Sequence, residues 1–191
     1  ELVIMDLLGE NKTKECRQLV LRKLGTSAIS PEVLDKLQTI LDRHNEEVLD
    51  EHDYMEIAYR LAITRPERRD QTLEKERDRL ITAGNDELRQ EFDFVSKATH
   101  PNASAREEVF RNLLKAENRV NEQWALNALR LLNSDVFEPQ SNVYIVEGLK
   151  ALPEIQKTNS LAFPGRWTRT LIAPHKSAEA KTEVQKFLNE S

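Results

Sequence analysis

The sequence contains almost nothing that could cross-link a small protein covalently, since Cys16 is its single cysteine. One cysteine cannot form an internal disulfide, which excludes a disulfide-stapled scaffold. The chain has 191 residues, enough for a hydrophobic core that needs no disulfide or metal. It also has only 5 glycines, whereas 32% of its residues are charged. This composition is typical of a helix-rich protein with a large polar surface.

Long apolar runs and an excess of positive charge are missing as well. The longest apolar run covers residues 2–5, far short of the roughly 20 residues that a membrane span needs. We therefore expect a soluble protein without a membrane span, in a compartment that the sequence does not indicate. The 33 acidic and 28 basic residues are interspersed and give a net charge of −5. Without an extended positive face, nucleic acid is not an expected partner.

Apolar residues recur with helical spacing, and no segment alternates as a strand would. The clearest amphipathic helix carries its stripe at Tyr54, Ile57, Ala58, Leu61 and Ala62. Helix starts recur about every 15 to 20 residues, the spacing of antiparallel helix pairs joined by short loops. The sequence therefore predicts an all-α fold of the α-solenoid kind, HEAT-like or armadillo-like. We expect a right-handed stack of antiparallel helix pairs, forming a single helical domain over residues 1–191.

Local signals predict where several helices begin and end. Asp50 and Asn121 are suitable N-cap residues, and Ser104 with Glu107 has the spacing of a capping box. Gly25 is predicted to end the helix before it, because glycine easily adopts the left-handed conformation at a helix C-terminus. Residues 2–8 are interpreted as the end of another helix, which Gly9 would close.

Residues 155–167 are predicted to connect the long helix before them to the helices after them. Asn159 and Ser160 are turn formers, and asparagine enters the left-handed region more easily than other non-glycine residues. Pro164 suits the first turn of the following helix. Pro153 lies within the preceding apolar pattern and predicts a kink there, because proline has no backbone N–H to donate.

No catalytic or metal-binding motif is recognisable in the chain. A zinc peptidase site needs His-Glu-x-x-His on one helix, but the 4 histidines are scattered. Cys16 lies on an apolar stripe, so we interpret it as a packing residue and not as a nucleophile. We expect no catalytic residue, no metal ligands and no cofactor in this chain.

Several short motifs nevertheless follow one another in a familiar order. They are Asn118-Arg119 with Glu122 and Trp124, then Tyr144-Ile145, then Glu154-Ile155-Gln156-Lys157-Thr158 leading to Phe163-Pro164 and Trp167, and finally Ser177, Ala180 and Phe187-Leu188. From Leu61 to its end the chain thereby resembles the C-terminal HEAT-like domain of zinc metallo-aminopeptidases of the aminopeptidase N family, which are gluzincins. It departs from the family pattern at Asn159, Ser160 and Ala162, where a glycine, an acid and an aromatic residue are often found.

The resemblance implies a helical stack that packs beside a thermolysin-like catalytic domain and forms one wall of a cavity limiting peptide access to the zinc. This chain would then be a non-catalytic C-terminal fragment of a larger peptide hydrolase. Its partners would be the catalytic domain of the same polypeptide and the peptide substrates. Zinc and the catalytic residues are expected in that missing domain. The start at Glu1, without an initiator methionine, is interpreted in the same way.

Two groups of residues are candidates for a role in this setting. The expected structural anchors are Trp124, Tyr144, Ile155, Phe163, Pro164 and Trp167. We interpret the two tryptophans as core residues and not as ligand-stacking platforms. Arg166 and Arg169 are expected to point away from the core. They form either a solvated helix end or a substrate-facing pair that attracts a peptide carboxylate.

A function of another class fits the same helical pattern. The chain could be a free-standing α-solenoid scaffold that binds another protein through its concave face. A reading frame that begins near Glu1 would favour the scaffold. A frame that extends upstream through a His-Glu-x-x-His motif would favour the aminopeptidase domain.

Overall fold

The computed structural model describes residues 13–44 and 47–190, and within them it contains α-helices, short 3-10 turns and no strands. The α-helices are α1 (Lys14–Ser27), α2 (Pro31–Arg43), α3 (Glu51–Thr64), α4 (Arg69–Thr82), α5 (Asp86–Val95), α6 (Ala103–Leu113), α7 (Glu122–Leu132), α8 (Val143–Lys150), α9 (Leu152–Thr158), α10 (Phe163–Ile172) and α11 (Ala178–Glu190). The prediction of an all-α, solenoid-like fold is confirmed, because the described residues are mostly helical and these helices pack against one another. None of the described helices is long and apolar enough to cross a bilayer. The helix end predicted at residues 2–8 lies outside the described residues.

The chain forms two compact units that divide between Phe92 and Asp93. In the first unit, α3 is the central helix and packs against α1, α2 and α4. Its buried side chains include Met55, Ile57 and Leu61, each 1–2% exposed. Asp50 caps α3 as predicted, because its side chain accepts a hydrogen bond from the Asp53 N–H while the Asp53 side chain accepts one from the Asp50 N–H. The single domain over residues 1–191 stays a prediction.

The predicted role of Gly25 as a helix terminator is wrong. The helix α1 continues through Gly25 to Ser27, and Gly25 is buried. A Cβ atom at this position would lie 3.1 Å from Cγ1 of Ile57 on α3. Glycine is therefore needed here because α1 and α3 approach closely, and not because the backbone turns.

We expect Gly25→Val to destabilise the first unit by about 1–3 kcal/mol, because the added methyl groups overlap the space that Ile57 occupies. Gly165→Ala is the matched control, since a Cβ there meets nothing within 4 Å. It should stabilise α10 by up to about 1 kcal/mol by restricting the unfolded chain. Hydrogen exchange of α1 and α3 measures the first effect, and that of α10 the second. Unchanged exchange in Gly25→Val would contradict the close approach.

In the second unit, α7 and α10 form the central pair. The helix α7 packs against α6, α10 and the 3-10 turn Ser96–Thr99, while α10 also contacts α8 and α9, and α11 packs on α8. The core between them is fully apolar at Leu129, Leu132, Ile145 and Leu171, each 0% exposed. This packing places α7 next to α10, and several residues of the candidate site lie on these two helices.

Three local predictions have different outcomes in this unit. Asn121 caps α7 as predicted, because its Oδ1 accepts a hydrogen bond from the Trp124 N–H at 3.3 Å. The capping box of Ser104 and Glu107 is wrong, because α6 begins at Ala103, two residues before the start that the box predicts, and Asn102 is its N-cap. The Asn102 side chain accepts hydrogen bonds from both the N–H and the hydroxyl of Ser104. An asparagine two positions upstream thus accepts the hydrogen bond from the Ser104 N–H that Glu107 would have accepted in the box.

The kink predicted at Pro153 is present as a break between two helices. The helix α8 ends at Lys150, and α9 begins at Leu152 with Pro153 in its first turn. In the first turn of a helix, a missing N–H costs no intrahelical hydrogen bond. Pro153 therefore starts a new helix instead of bending an existing one.

Candidate functional site

Arg119 is the centre of a buried polar cluster in the second unit. It ends the 3-10 turn Ala116–Arg119, just before α7, and its side chain is 0% exposed. Its guanidinium donates to the Leu113 carbonyl at 2.8 Å and to Glu154 Oε2 at 2.5 Å. It also donates to Thr158 Oγ1 at 3.2 Å and to Asn159 Oδ1 at 3.1 Å. We call Arg119, Leu113, Glu154, Thr158 and Asn159 the Arg119 cluster.

Asn159 has a different role from the one its residue type predicts. Its backbone is extended, with φ −116° and ψ 173°, so the left-handed conformation that was considered for it is wrong. Its side chain binds Arg119 from both directions, because Oδ1 accepts from Nε of Arg119 and Nδ2 donates to the Arg119 carbonyl at 3.4 Å. The amide thus serves as a bridge between two segments that are 40 residues apart.

A second polar contact joins the same two segments beside the Arg119 cluster. The Glu122 carboxylate accepts hydrogen bonds from the backbone N–H and the hydroxyl of Ser160, each at 2.6 Å. Burial tends to raise the pKa of Glu122, but the hydrogen bonds from Ser160 and Asn159 and the charge of Arg166 hold that pKa below its ordinary value. The ionised carboxylate therefore holds the start of the loop before α10 against the first turn of α7.

The expected anchors lie around these contacts with different degrees of burial. Ile155, Phe163 and Trp167 are 0% exposed and Tyr144 is 4% exposed. Pro164 and Trp124 are half-buried, and the Trp124 ring packs in a tilted orientation against the Phe94 ring, with centroids 6.1 Å apart. The indole N–H of Trp167 donates to the Gly148 carbonyl at 3.0 Å. Trp167 therefore joins α10 to α8 through both packing and a buried hydrogen bond.

Arg166 and Arg169 lie on the exposed side of α10, as their positions relative to Trp167 predict. They line a groove of about 250 Å³ between α10 and α7. We call it the basic groove; its lining residues are Gln123, Leu126, Asn127, Arg130, Arg166, Arg169 and Thr170. The substrate-facing role of the two arginines stays a prediction.

The α7 side of the basic groove was not predicted from the sequence. Gln123, Asn127 and Arg130 have the spacing i, i+4 and i+7, which places them on one face of a helix. A polar row on one face of α7 could therefore be predicted from the sequence. Its location opposite Arg166 could not be predicted, because it depends on how α7 packs on α10.

The residue types suited to metal binding or nucleophilic chemistry include His44, His52 and Cys16, which belong to the first unit. His44 stacks on Tyr54 with ring centroids 3.5 Å apart, and His52 lies 3.5 Å from a Glu91 oxygen. Cys16 is a half-buried free thiol. Within residues 13–44 and 47–190, no three His, Cys, Asp or Glu side chains are grouped so that they could hold a metal ion.

Comparisons of this chain with protein-family models, curated proteins and solved structures found no match. Two features of the second unit therefore bear on its function. One is the Arg119 cluster, which joins the residues before α7 to the end of α9. The other is the basic groove beside it.

Proposed function

We propose that this chain is the non-catalytic C-terminal domain of a zinc aminopeptidase, and that it packs on the catalytic domain and shapes or gates access of peptide substrates. The observation that carries the proposal is that the motifs resembling the aminopeptidase N family bind one another. Arg119 pairs with Glu154, 35 residues away, and donates to Thr158, 39 residues away. Hydrogen bonds between motifs that are distant in sequence support the proposal, because motifs that belong to one structural unit are expected to contact one another.

The Arg119 cluster also supports a role in positioning. It fixes the end of α9, and the Glu122 contact fixes the loop that leads into α10. The orientation of α10 determines in turn where Arg166 and Arg169 project. A domain that lines a substrate cavity needs such a rigid support, because a wall residue acts on peptide access only if its position is fixed.

The proposal is tested by reconstitution with the upstream region of the same gene. That region should encode a His-Glu-x-x-His motif, and its product should bind this chain in size-exclusion chromatography with light scattering. Hydrolysis of peptides of increasing length by the upstream product is then compared with and without this chain. We expect the chain to alter the dependence of the hydrolysis rate on peptide length, and to be inactive by itself.

Three results would contradict the proposal. The first is hydrolysis of an aminoacyl chromogenic substrate by this chain alone, abolished by a zinc chelator. The second is an upstream region without the zinc motif. The third is failure to bind the upstream product although circular dichroism shows a folded, helical chain, which would favour the free-standing scaffold.

A further inference from the structure

The basic groove combines side chains from two helices into one recognition surface. Arg166, Arg169 and Thr170 lie at i, i+3 and i+4 on α10, and Gln123, Asn127 and Arg130 face them from α7. These side chains can donate hydrogen bonds, and three of them carry a positive charge. Leu126, which is 5% exposed, supplies the apolar part of the lining. The groove therefore has the chemistry of a site for an anionic group.

The positive charges in the groove are not neutralised by its own lining. No acidic residue is among the residues that line it. Glu122 is near enough to Arg166 to influence it electrostatically, but its carboxylate is bonded to Ser160. Arg166 and Arg169 line the same groove from one helix, and a bound anion would relieve the repulsion between their two guanidinium groups.

The arginines differ in how much freedom they have to bind a ligand. Nη2 of Arg166 donates to Gln123 Oε1, and Gln123 Nε2 donates in turn to Asn127 Oδ1 at 2.9 Å. Arg166 is thereby oriented across the groove. Arg169 is exposed, and its side chain makes no hydrogen bond or ion pair with any residue in the part of the chain that the structure describes. The Arg169 guanidinium can therefore form two parallel hydrogen bonds to one ligand.

We propose that the basic groove binds an oxyanion, either a carboxylate or a phosphate, at the end of a small molecule or of a peptide. Its volume of about 250 Å³ accepts such a group with a few further atoms. Guanidinium groups bind both anions through paired, charge-assisted hydrogen bonds. The proposal is independent of the aminopeptidase assignment, since it holds equally for a free-standing scaffold.

The experiment is titration of the full chain, followed by isothermal calorimetry and by the backbone NMR signals of α7 and α10. Three probes separate the sources of the oxyanion: inorganic phosphate, a short peptide with a free C-terminal carboxylate, and the same peptide as its C-terminal amide. We expect saturable binding of phosphate or of the free-carboxylate peptide, with the amide at least tenfold weaker than the free peptide if a chain end is the ligand. Binding should weaken with increasing salt.

The deciding variant is Arg169→Gln, which keeps a polar, flexible side chain, removes its charge and breaks no hydrogen bond or ion pair with the described residues. We expect it to weaken binding at least tenfold. Arg111→Gln is the control, because Arg111 is an exposed arginine of the same unit, paired with Glu107 outside the groove. Circular dichroism verifies that both variants are folded. The proposal is overturned if no probe saturates, or if Arg169→Gln and Arg111→Gln bind as tightly as the unsubstituted chain.

Discussion

Replacing Arg119 with alanine is expected to destabilise the second unit by about 3 kcal/mol, because the change leaves several buried acceptors without their donor. The guanidinium is 0% exposed and bridges the Leu113 carbonyl, Glu154 and Asn159. This loss of stability is at the lower end of the range for removing one partner of a buried ion pair. The reason is that the Glu154 side chain is 45% exposed and can be hydrated when it loses its partner. The effect is still a large fraction of the stability of a small unit.

The measurement is urea unfolding followed by tryptophan fluorescence. Trp124 and Trp167 are the only tryptophans of the chain and both lie in the second unit, so the signal reports on that unit. Arg111→Ala is the matched control, because its pair with Glu107 is exposed and contributes less than about 1 kcal/mol. Similar midpoint shifts for the two variants would contradict a special role of the buried guanidinium.

Trp167→Ala is expected to have the largest effect of all, about 4 kcal/mol, since it removes a fully buried indole from the contact between α10 and α8. The helices cannot collapse freely into the space, because Gly148 and Leu171 already touch. A Cβ at Gly148 would lie only 2.6 Å from Cδ2 of Leu171. A cavity therefore remains, and its cost adds to the lost burial.

Trp124→Ala is the comparison, because Trp124 is half-buried and should cost less than half as much. Each variant retains the other tryptophan as a fluorescent probe, and far-UV circular dichroism provides a signal common to both. Trp167→Phe separates packing from hydrogen bonding, since it keeps an aromatic ring but cannot donate to the Gly148 carbonyl. We expect an intermediate loss for it. Equal losses for Trp167→Ala and Trp124→Ala would refute the assignment of Trp167 as the principal anchor.

The parts of the fold that could be predicted from the sequence depend on local chemistry. The helical periodicity and the caps at Asp50 and Asn121 involve residues within three or four positions of each other, so their signal is contained in a short window. Asn102 was missed for a similar reason. Asn102 and Ser104 are both suitable N-cap residues, and residue type alone does not decide which of them caps the helix.

The parts that could not be predicted depend on residues that are far apart in sequence. Gly25 has the residue type of a helix terminator, but its environment is set by Ile57 on another helix. Arg119 resembles a surface residue, because arginine is rarely buried, and its side-chain partners lie 35–40 positions away. Of the basic groove, the outward direction of Arg166 and Arg169 was predictable. Its other side was not, because helix packing has no signature in a short window.

The span between Arg119 and Asn159 is closed by hydrogen bonds in a chain whose single cysteine cannot close it covalently. A disulfide across such a loop would also restrict the unfolded chain and so reduce the entropy lost on folding. Hydrogen bonds to a guanidinium exist only in the native state, so the full entropy of closing this loop is lost each time the unit folds. The hydrogen bonds between Arg119 and Asn159, however, form and break without any oxidant or reductant. Closing and opening this loop therefore does not depend on the redox state of the surroundings.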